Sequence, residues 1–405
     1  MNHKVALAFI FFTVLLDVIG FGIIIPVLPA LIEDLTGQGM SSAAAYGGML
    51  LIAFAVMQFL FSPVMGELSD RYGRRPVLLL ALLGLGIDYI IHGLATSIGW
   101  LFLGRLLAGV TGASHTVAMA YVADVSTEEN KAKNFGLIGA AFGLGFIIGP
   151  SIGGIFGAID IRLPFYIAAG LALANTVFGF FVLPESLSKE NRREVSYRKM
   201  IPGLSLLRLG KYAGLGGLII ALFLANISGQ ALPTVWSFYG IERYDWSEAQ
   251  VGYSLSFVGL LVAIVQGGFI GVATKRFGEK SVIIIGFALC SVGMFLFGTA
   301  SEAWMLYIFC IPYALGGIGG PTLQGLISNR VSVKEQGNLQ GSLTSMISIT
   351  TIIGPAMAAS LFYLFTKEES DIYLPGASYF AAAALLVVST LMVIITFRRS
   401  EASAN

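Results

Sequence analysis

The chain has 405 residues, of which 56% are hydrophobic and 12% charged, with 24 basic against 23 acidic side chains and a mean hydropathy of +0.83. A soluble domain carries about 25% charged residues, and no soluble packing hides this much apolar side chain, because most of a globule's surface still faces water. The composition therefore excludes a soluble protein and leaves an integral membrane protein, and a net charge of +1 gives no reason to expect nucleic acid as a partner.

Only helices and closed barrels span lipid, because backbone polar groups there must be satisfied internally. Barrel strands alternate over about ten residues, whereas the apolar runs here are continuous and roughly twice that length. In chain order, helices are expected at 5–32, 44–66, 76–96, 98–122, 133–156 and 163–184, then at 212–240, 249–272, 280–300, 303–328, 338–365 and 375–397. The first run resembles a signal peptide only superficially. It continues past residue 30 and holds Asp17, Pro26 and Pro29, which predicts a retained first helix. The polar stretch 185–211, with Lys189, Arg192, Arg193, Arg198, Lys199 and Arg208, is the expected linker between a bundle over 1–184 and a bundle over 212–405. Twelve helices of about 20 residues leave no room for a sizeable soluble domain. Cys290 and Cys310 lie in apolar runs, so no disulfide framework is expected.

Basic residues set the expected orientation. With both termini inside, only Arg162, Arg243 and Lys367 fall outside and Arg105 falls within a helix, which leaves twenty of the 24 on the cytoplasmic side. The chain also repeats itself. The run Gly66-Glu67-Leu68-Ser69-Asp70-Arg71-Tyr72-Gly73 returns as Gly271-Val272-Ala273-Thr274-Lys275-Arg276-Phe277-Gly278, Gly136 returns as Gly341, and Gly149-Pro150 as Gly354-Pro355, always at the same spacing. Two six-helix halves related by duplication are a transporter architecture, with substrate held near the midplane between the halves.

These residues resemble the major facilitator superfamily. Gly66-x-x-x-Asp70-Arg71-x-Gly73-Arg74-Arg75 looks like its signature between helices 2 and 3. Gly136-x8-Gly145-x3-Gly149-Pro150-x2-Gly153-Gly154 on helix 5 fits the pattern associated with antiporters, and Arg105-x3-Gly109-x2-Gly112 on helix 4 a third family motif. Within the superfamily the chain is similar to the tetracycline–proton antiporter group of drug exporters. That similarity runs through Leu16-Asp17-Val18-Ile19-Gly20, Met57-Gln58-Phe59, Gly229-Gln230, Gly317-Ile318-Gly319-Gly320-Pro321 and Gln336-Gly337-Asn338-Leu339-Gln340-Gly341-Ser342-Leu343. The resemblance implies twelve helices in two bundles, proton-coupled efflux from a bacterial inner membrane, and no cofactor beyond the proton gradient. The chain departs from the group where a helix 8 histidine and a helix 9 aspartate are usual; Val262 and Cys290 stand there, and no acidic, basic or histidine residue lies inside helices 7 to 12.

An ionisable side chain at a helix centre costs about 2.5–3.5 kcal/mol on insertion scales, so each needs a reason. Asp17, Asp88 and Arg105 are the clear cases, with His115 a weaker one. Each aspartate lies about a dozen residues from the cytoplasmic end of its helix, or roughly 18 Å deep. Two readings stay open: a static pair with Arg105 that ties helices 1, 3 and 4, or a proton carrier that is loaded when desolvated and emptied when a cation approaches. Arg105 keeps its charge and serves as a fixed counter-ion, while Gly109 and Gly112 keep its helix face open. His115 is either a packing residue or a relay.

Other groups carry a bland and a functional reading side by side. Gly145, Gly149 and Gly153 form a small-residue stripe for close packing, Pro150 can bend the helix, and the family reading adds a tight seam that prevents leakage. The 66–75 loop is a basic turn that sets topology. As a gate, its Asp70 would face a helix N-terminus in the other half, with Arg74 or Arg71 near Asp124. Asn226 and Gln230 share a face of helix 7, followed by Trp236; with Gln58, Gln266 and Gln324 they suit a largely apolar ligand or, alternatively, bond helix to helix.

The expected protein is a monomeric, proton-coupled exporter of amphipathic small molecules in contact with membrane lipids. Rival readings are an importer or facilitator of an endogenous metabolite or lipid, and a membrane-embedded receptor or enzyme. No nucleotide-binding loop is present, and His3, His92 and His115 show no metal-ligand spacing.

Overall fold

A computed structural model describes residues 3–112, 114–126, 130–193, 200–204 and 206–402, and among the described residues there is no strand. Among the described residues, twelve helices are long and apolar enough to cross a membrane. The first six are Leu7–Ile24, Met40–Tyr72, Arg74–Leu94, Ile98–Val125, Asn134–Gly157 and Leu163–Val182. The second six are Gly216–Tyr244, Glu248–Phe277, Glu279–Thr299, Ala303–Asn329, Asn338–Thr366 and Ala377–Arg399. They are numbered helix 1 to helix 12. Large apolar side chains such as Phe178, Phe181, Val272, Trp304 and Leu391 point outward, as a lipid-facing surface requires.

The helices are less continuous than the apolar runs suggest. Instead of one helix over 5–32, helix 1 stops at Ile24 and a separate helix, Leu28–Thr36, begins with Pro29 in its first turn. Pro26 removes a backbone donor at the break, and proline is accepted only in the opening turn of the next helix. Helix 4 breaks after Thr111, with Gly112 between Ile98–Thr111 and Ser114–Val125. Helix 7 is jointed at Gln230, helix 8 loosens into a π-turn over Val265–Phe269, and helix 10 breaks at Gly317–Ile318. The breaks at Ile25 and Gln230, and at Gly112 and Gly317, are separated by the spacing of the sequence repeat. The duplication thus extends to backbone irregularities, which survive in lipid only where protein or a cavity satisfies the freed groups.

Packing follows the same duplication. Helix 1 runs against helix 5 and helix 3 against helices 4 and 6; correspondingly, helix 9 runs against helices 10 and 12, and helix 7 against helices 11 and 12. By contacts the chain divides into two compact units. One comprises Met1–Gln38, Ala53–Pro202 and Trp246–Ser256, the other Gly39–Ile52, Gly203–Asp245 and Phe257–Asn405.

Candidate functional site

A cluster of buried charge sits in the first unit, on helices 3 and 4. Asp88 is 0% exposed, Arg105 8% and His92 1%, so the three form a closed cluster. Arg105 Nη2 donates to Asp88 Oδ2, and His92 Nδ1 lies 3.0 Å from Asp88 Oδ1. The same Nδ1 hydrogen-bonds the Asp88 carbonyl at 2.9 Å, and the His92 ring stacks on Phe165 of helix 6 with centroids 5.6 Å apart. Gly104 makes this possible: a Cβ there would stand 2.5 Å from Asp88 Oδ1 and 2.9 Å from His92 Nδ1. Arg105 also faces the Phe54 ring at 5.9 Å, a cation–π contact suited to a desolvated guanidinium. Asp88 lies six residues from the Leu94 end of helix 3, about 9 Å at 1.5 Å per residue. It is therefore past the middle of the helix rather than at it.

Beside this cluster opens a cavity of about 360 Å³, lined by Asp17, Phe21, Phe54, Gln58, Tyr89, Arg105, Phe142 and Phe146 among others. Asp17 is half-buried on helix 1, whereas Asp88 is fully enclosed. Gln58 Nε2 donates to the Gly112 carbonyl at 2.9 Å, which satisfies a group freed by the break in helix 4. Arg105 Nε and the Tyr89 hydroxyl are buried without a hydrogen-bond partner among the described residues. Two orphaned donors on the wall of an aromatic pocket are what a ligand carrying a few polar groups would meet.

The amides expected on the second half lie within the second unit, apart from that cavity. Asn226 Nδ2 returns to the Leu222 carbonyl at 2.8 Å, and Gln324 Nε2 donates to Gln340 Oε1 at 3.3 Å. Gln230 packs where a Cβ on Gly354 would touch it, and exposed Gln266 lies near Gly317 at the helix 10 break. Trp236 is buried edge-on against Phe297, centroids 5.2 Å apart. Val262 and Cys290 are half-buried. His115 begins the second part of helix 4, and its side chain lies outside the described residues.

At the other end of helix 3 the expected 66–75 loop shrinks to a one-residue turn at Gly73, because helix 2 runs on to Tyr72 and helix 3 starts at Arg74, and the segment is held within its own unit. Arg74 bridges Asp70 and Asp124, its Nε reaching Asp124 Oδ2 at 3.1 Å, while Arg71 lies over the Tyr72 ring. Glu185 caps helix 3 by accepting from Arg74 N at 2.8 Å and Arg75 N at 3.3 Å. Gly73 has a φ of +110°, and its missing Cβ leaves the space that the Glu185 carboxylate fills. Ser186 donates to Asp124 at 2.9 Å, so the start of the 185–211 stretch straps this turn down. Gly66 has open space around it.

On helix 5 the glycine stripe faces helix 1. A Cβ on Gly145 would lie 2.7 Å from Val18 Cβ, one on Gly149 2.7 Å from the Ile19 carbonyl, and one on Gly153 would strike the Ile23 backbone. Gly154 faces the other way, toward the Glu248 carbonyl and Ala249 at the start of helix 8.

His92, Tyr89, Gly104 and Glu185 were not singled out by sequence reasoning. The i, i+4 spacing of Asp88 and His92 was the available signal for the first, since it places both on one helix face. Among the described residues no three His, Cys, Asp or Glu side chains gather into a metal-binding group.

Known proteins share this architecture. The sequence profile described as Major Facilitator Superfamily matches residues 10–272 and 267–405. The class C tetracycline resistance protein of Escherichia coli is 41% identical over 388 residues, spanning 96% of each chain. Multidrug resistance protein 2 of Bacillus subtilis is 29% identical over 392 residues, spanning 95% of this chain and 94% of its own. Among solved structures, the crystal structure of a human organic anion transporter superposes with a TM-score of 0.71 at 23% identity, covering 97% of this chain and 100% of that one. That likeness concerns the fold.

Proposed function

The chain belongs to the major facilitator superfamily and is homologous to tetracycline efflux proteins, and from that premise we propose that it exports amphipathic small molecules in exchange for protons. It is a transporter and not an enzyme. The observation that carries the reading is the cavity shared by Asp17 and Arg105, next to the enclosed Asp88. Two carboxylates against one guanidinium leave the site one negative charge in excess, so it favours a proton or a cationic group. Four phenylalanines around it supply the apolar and π-face contacts that such a ligand needs.

In this reading Asp17 holds either a proton or the ligand's cationic group, and exclusion of one by the other is the antiport step. Because Val262 and Cys290 carry no charge, the second bundle contributes shape and amides through Asn226, Gln230, Gln266, Gln324 and Trp236. Tetracyclines and amphipathic cations are the substrates to test. The bundles 1–184 and 212–405 rock about the ligand, joined by 185–211. Arg74 with Asp70 and Asp124 forms the gating cluster on the cytoplasmic side, and the Gly145–Gly154 stripe with Pro150 keeps the packing of helix 5 tight. Both termini face the cytoplasm of a bacterial inner membrane, the protein works as a monomer, and the proton gradient is the only energy source. His115 stays a candidate relay.

The uncharged side chains Val262 and Cys290 on helices 8 and 9 favour one second reading, a facilitator that needs no proton. Proteoliposomes separate the two. With an imposed pH gradient, wild type should concentrate tetracycline, supplied with and without Mg2+, or a lipophilic cation. Asp17→Asn should lose the gradient-driven component and weaken, without abolishing, ligand exchange at equal pH. Gradient-driven uptake unchanged in Asp17→Asn would refute the role of Asp17, and uptake in wild type that ignores the gradient would favour the facilitator.

A further inference from the structure

We propose that Gln58 is a positioning residue that sets the bend of helix 4, so that a ligand in the cavity which draws its amide away releases the Ser114–Val125 arm of that helix. The proposal rests on the antiport reading only for its consequence, the opening of the Arg74–Asp124 cluster, since the bond it concerns exists without ligand or gradient.

Helix 4 is anchored on both sides of its break. On one side, Ile98–Thr111 lies against backbone: a Cβ on Gly109 would stand 2.7 Å from the Phe54 carbonyl and 3.3 Å from the Gln58 backbone nitrogen of helix 2. Thr111 fills the place that a Cβ on Gly84 of helix 3 would take. On the other side, Ser114–Val125 ends in a clasp. Asp124 accepts from Arg74 Nε at 3.1 Å and from Ser186 Oγ at 2.9 Å, and the Tyr121 hydroxyl donates to the Pro184 carbonyl at 2.8 Å. Asp124 lies twelve residues past Gly112, about 18 Å at 1.5 Å per residue.

The Gly112 carbonyl stands between these two anchorages. In an unbroken helix it would accept from the N–H four residues on; here Gln58 Nε2 donates to it at 2.9 Å. Gln58 and Gly112 both line the cavity, and an amide offers two donors and an acceptor to whatever enters it. A ligand that turns the amide toward itself strips the Gly112 carbonyl of its donor. A bare carbonyl in an apolar wall is costly, and the donor the chain itself supplies is the N–H four residues on, so helix 4 straightens. Val117, Ala118, Tyr121 and Val122 keep the arm within the bundle core, and the arm therefore tilts along that face. A change of bend of about 20°, the size of an ordinary kink, moves its end by about 6 Å and takes Asp124 out of reach of Arg74.

The second half repeats the arrangement with the bond open. Gly317 stands at the helix 10 break at the spacing of the repeat. Gln266 follows the place of Gln58 by three residues, nearly one helical turn, within the π-turn of helix 8. A Cβ on Gly317 would lie 3.6 Å from Gln266 Nε2, yet Gln266 makes no hydrogen bond among the described residues. A glutamine beside a glycine break thus occurs bonded in one half and unbonded in the other, the two settings a releasable clasp requires.

Spin-label distances in the purified full-length protein test this, with labels on Ala123→Cys in the arm and Leu80→Cys on helix 3, in a Cys290→Ser/Cys310→Ser background. Gln58→Leu should shift the distance by about 6 Å in the absence of any ligand. Gly112→Ala should shift it the same way, because its methyl would stand 3.2 Å from Gln58 Nε2 and alanine favours a continuous helix. Gln58→His, whose ring N–H can donate to the Gly112 carbonyl, should keep the wild-type distance. A role in filling space alone would give the opposite order, with leucine the better substitute, and would overturn the proposal. So would a folded Gln58→Leu with the wild-type distance, and an unshifted Gly112→Ala does the same even if Gln58→Leu fails to fold. Transport that ignores the proton gradient would sink the antiport reading and leave these distances unchanged, so the two failures are distinguishable.

Discussion

Replacing Arg105 with leucine is expected to destabilise the purified protein by about 3–5 kcal/mol, the cost of removing one partner from a buried ion pair. Asp88 is 0% exposed, and its Oδ2 loses the guanidinium donor that satisfies it. The same change removes the face that meets Phe54 and the fixed positive charge beside Asp17, so transport should disappear with stability. The diagnostic comparison is the double variant Arg105→Leu/Asp88→Asn. It swaps the stranded charge for a neutral amide and should recover more than half of the lost stability in a denaturant titration, yet remain inactive. Equal stability of Arg105→Leu and wild type would show that the pair is not the anchor of helices 3 and 4.

The second large effect concerns the contact between helices 1 and 5. Gly149→Val should cost about 1–3 kcal/mol, as overpacking a filled interface does, and should abolish transport. The atoms in the way belong to backbone: the Ile19 carbonyl lies 2.7 Å from the position of a Cβ on Gly149, and the Gly22 Cα lies 2.9 Å away. No side-chain rotation relieves that clash, so helix 1 has to move, and it carries Asp17. Gly136 belongs to the same sequence motif, yet a Cβ there would meet nothing within 4 Å, so Gly136→Ala should stay within about 0.5 kcal/mol of wild type. Thermal unfolding and uptake assays on the two variants check both statements, and equal tolerance at both positions would contradict them.

The twelve spans and the duplication were legible because lipid imposes length and apolarity on every helix, and because constant spacing between Gly66 and Gly271 or Gly149 and Gly354 needs no structure to be read. The breaks were less visible. Gly112 and Gly317 sit within apolar runs, and hydropathy is blind to whether a glycine passes or interrupts a helix. What decides it is the surrounding protein, here Gln58 reaching the Gly112 carbonyl. Asp88 and Arg105 stood out as charges in an apolar run, and their pairing across helices 3 and 4 was one of two readings. His92 carries no metal-ligand spacing to mark it in the sequence, and its i, i+4 relation to Asp88 becomes meaningful only once Gly104 leaves room for it. Glu185 looked like the first residue of a polar linker. Its role as the cap of helix 3 depends on a contact 111 residues away in sequence, which no local pattern encodes.

Competition between a proton and the ligand at Asp17 is tested most directly by ligand affinity as a function of pH. A ligand is first chosen by thermal stabilisation, beginning with tetracycline with and without Mg2+. Its Kd is then measured by calorimetry from about pH 5.5 to about pH 8.5, a range on both sides of neutrality. Exchange of one proton for one ligand requires Kd to fall tenfold, about 1.4 kcal/mol, for each pH unit gained below the titration point and to level off above it. Asp17→Asn should bind with a Kd that does not change with pH, while Trp236→Ala should weaken binding by a constant factor and keep the wild-type slope. A wild-type Kd that stays constant across the whole range would contradict proton–ligand competition.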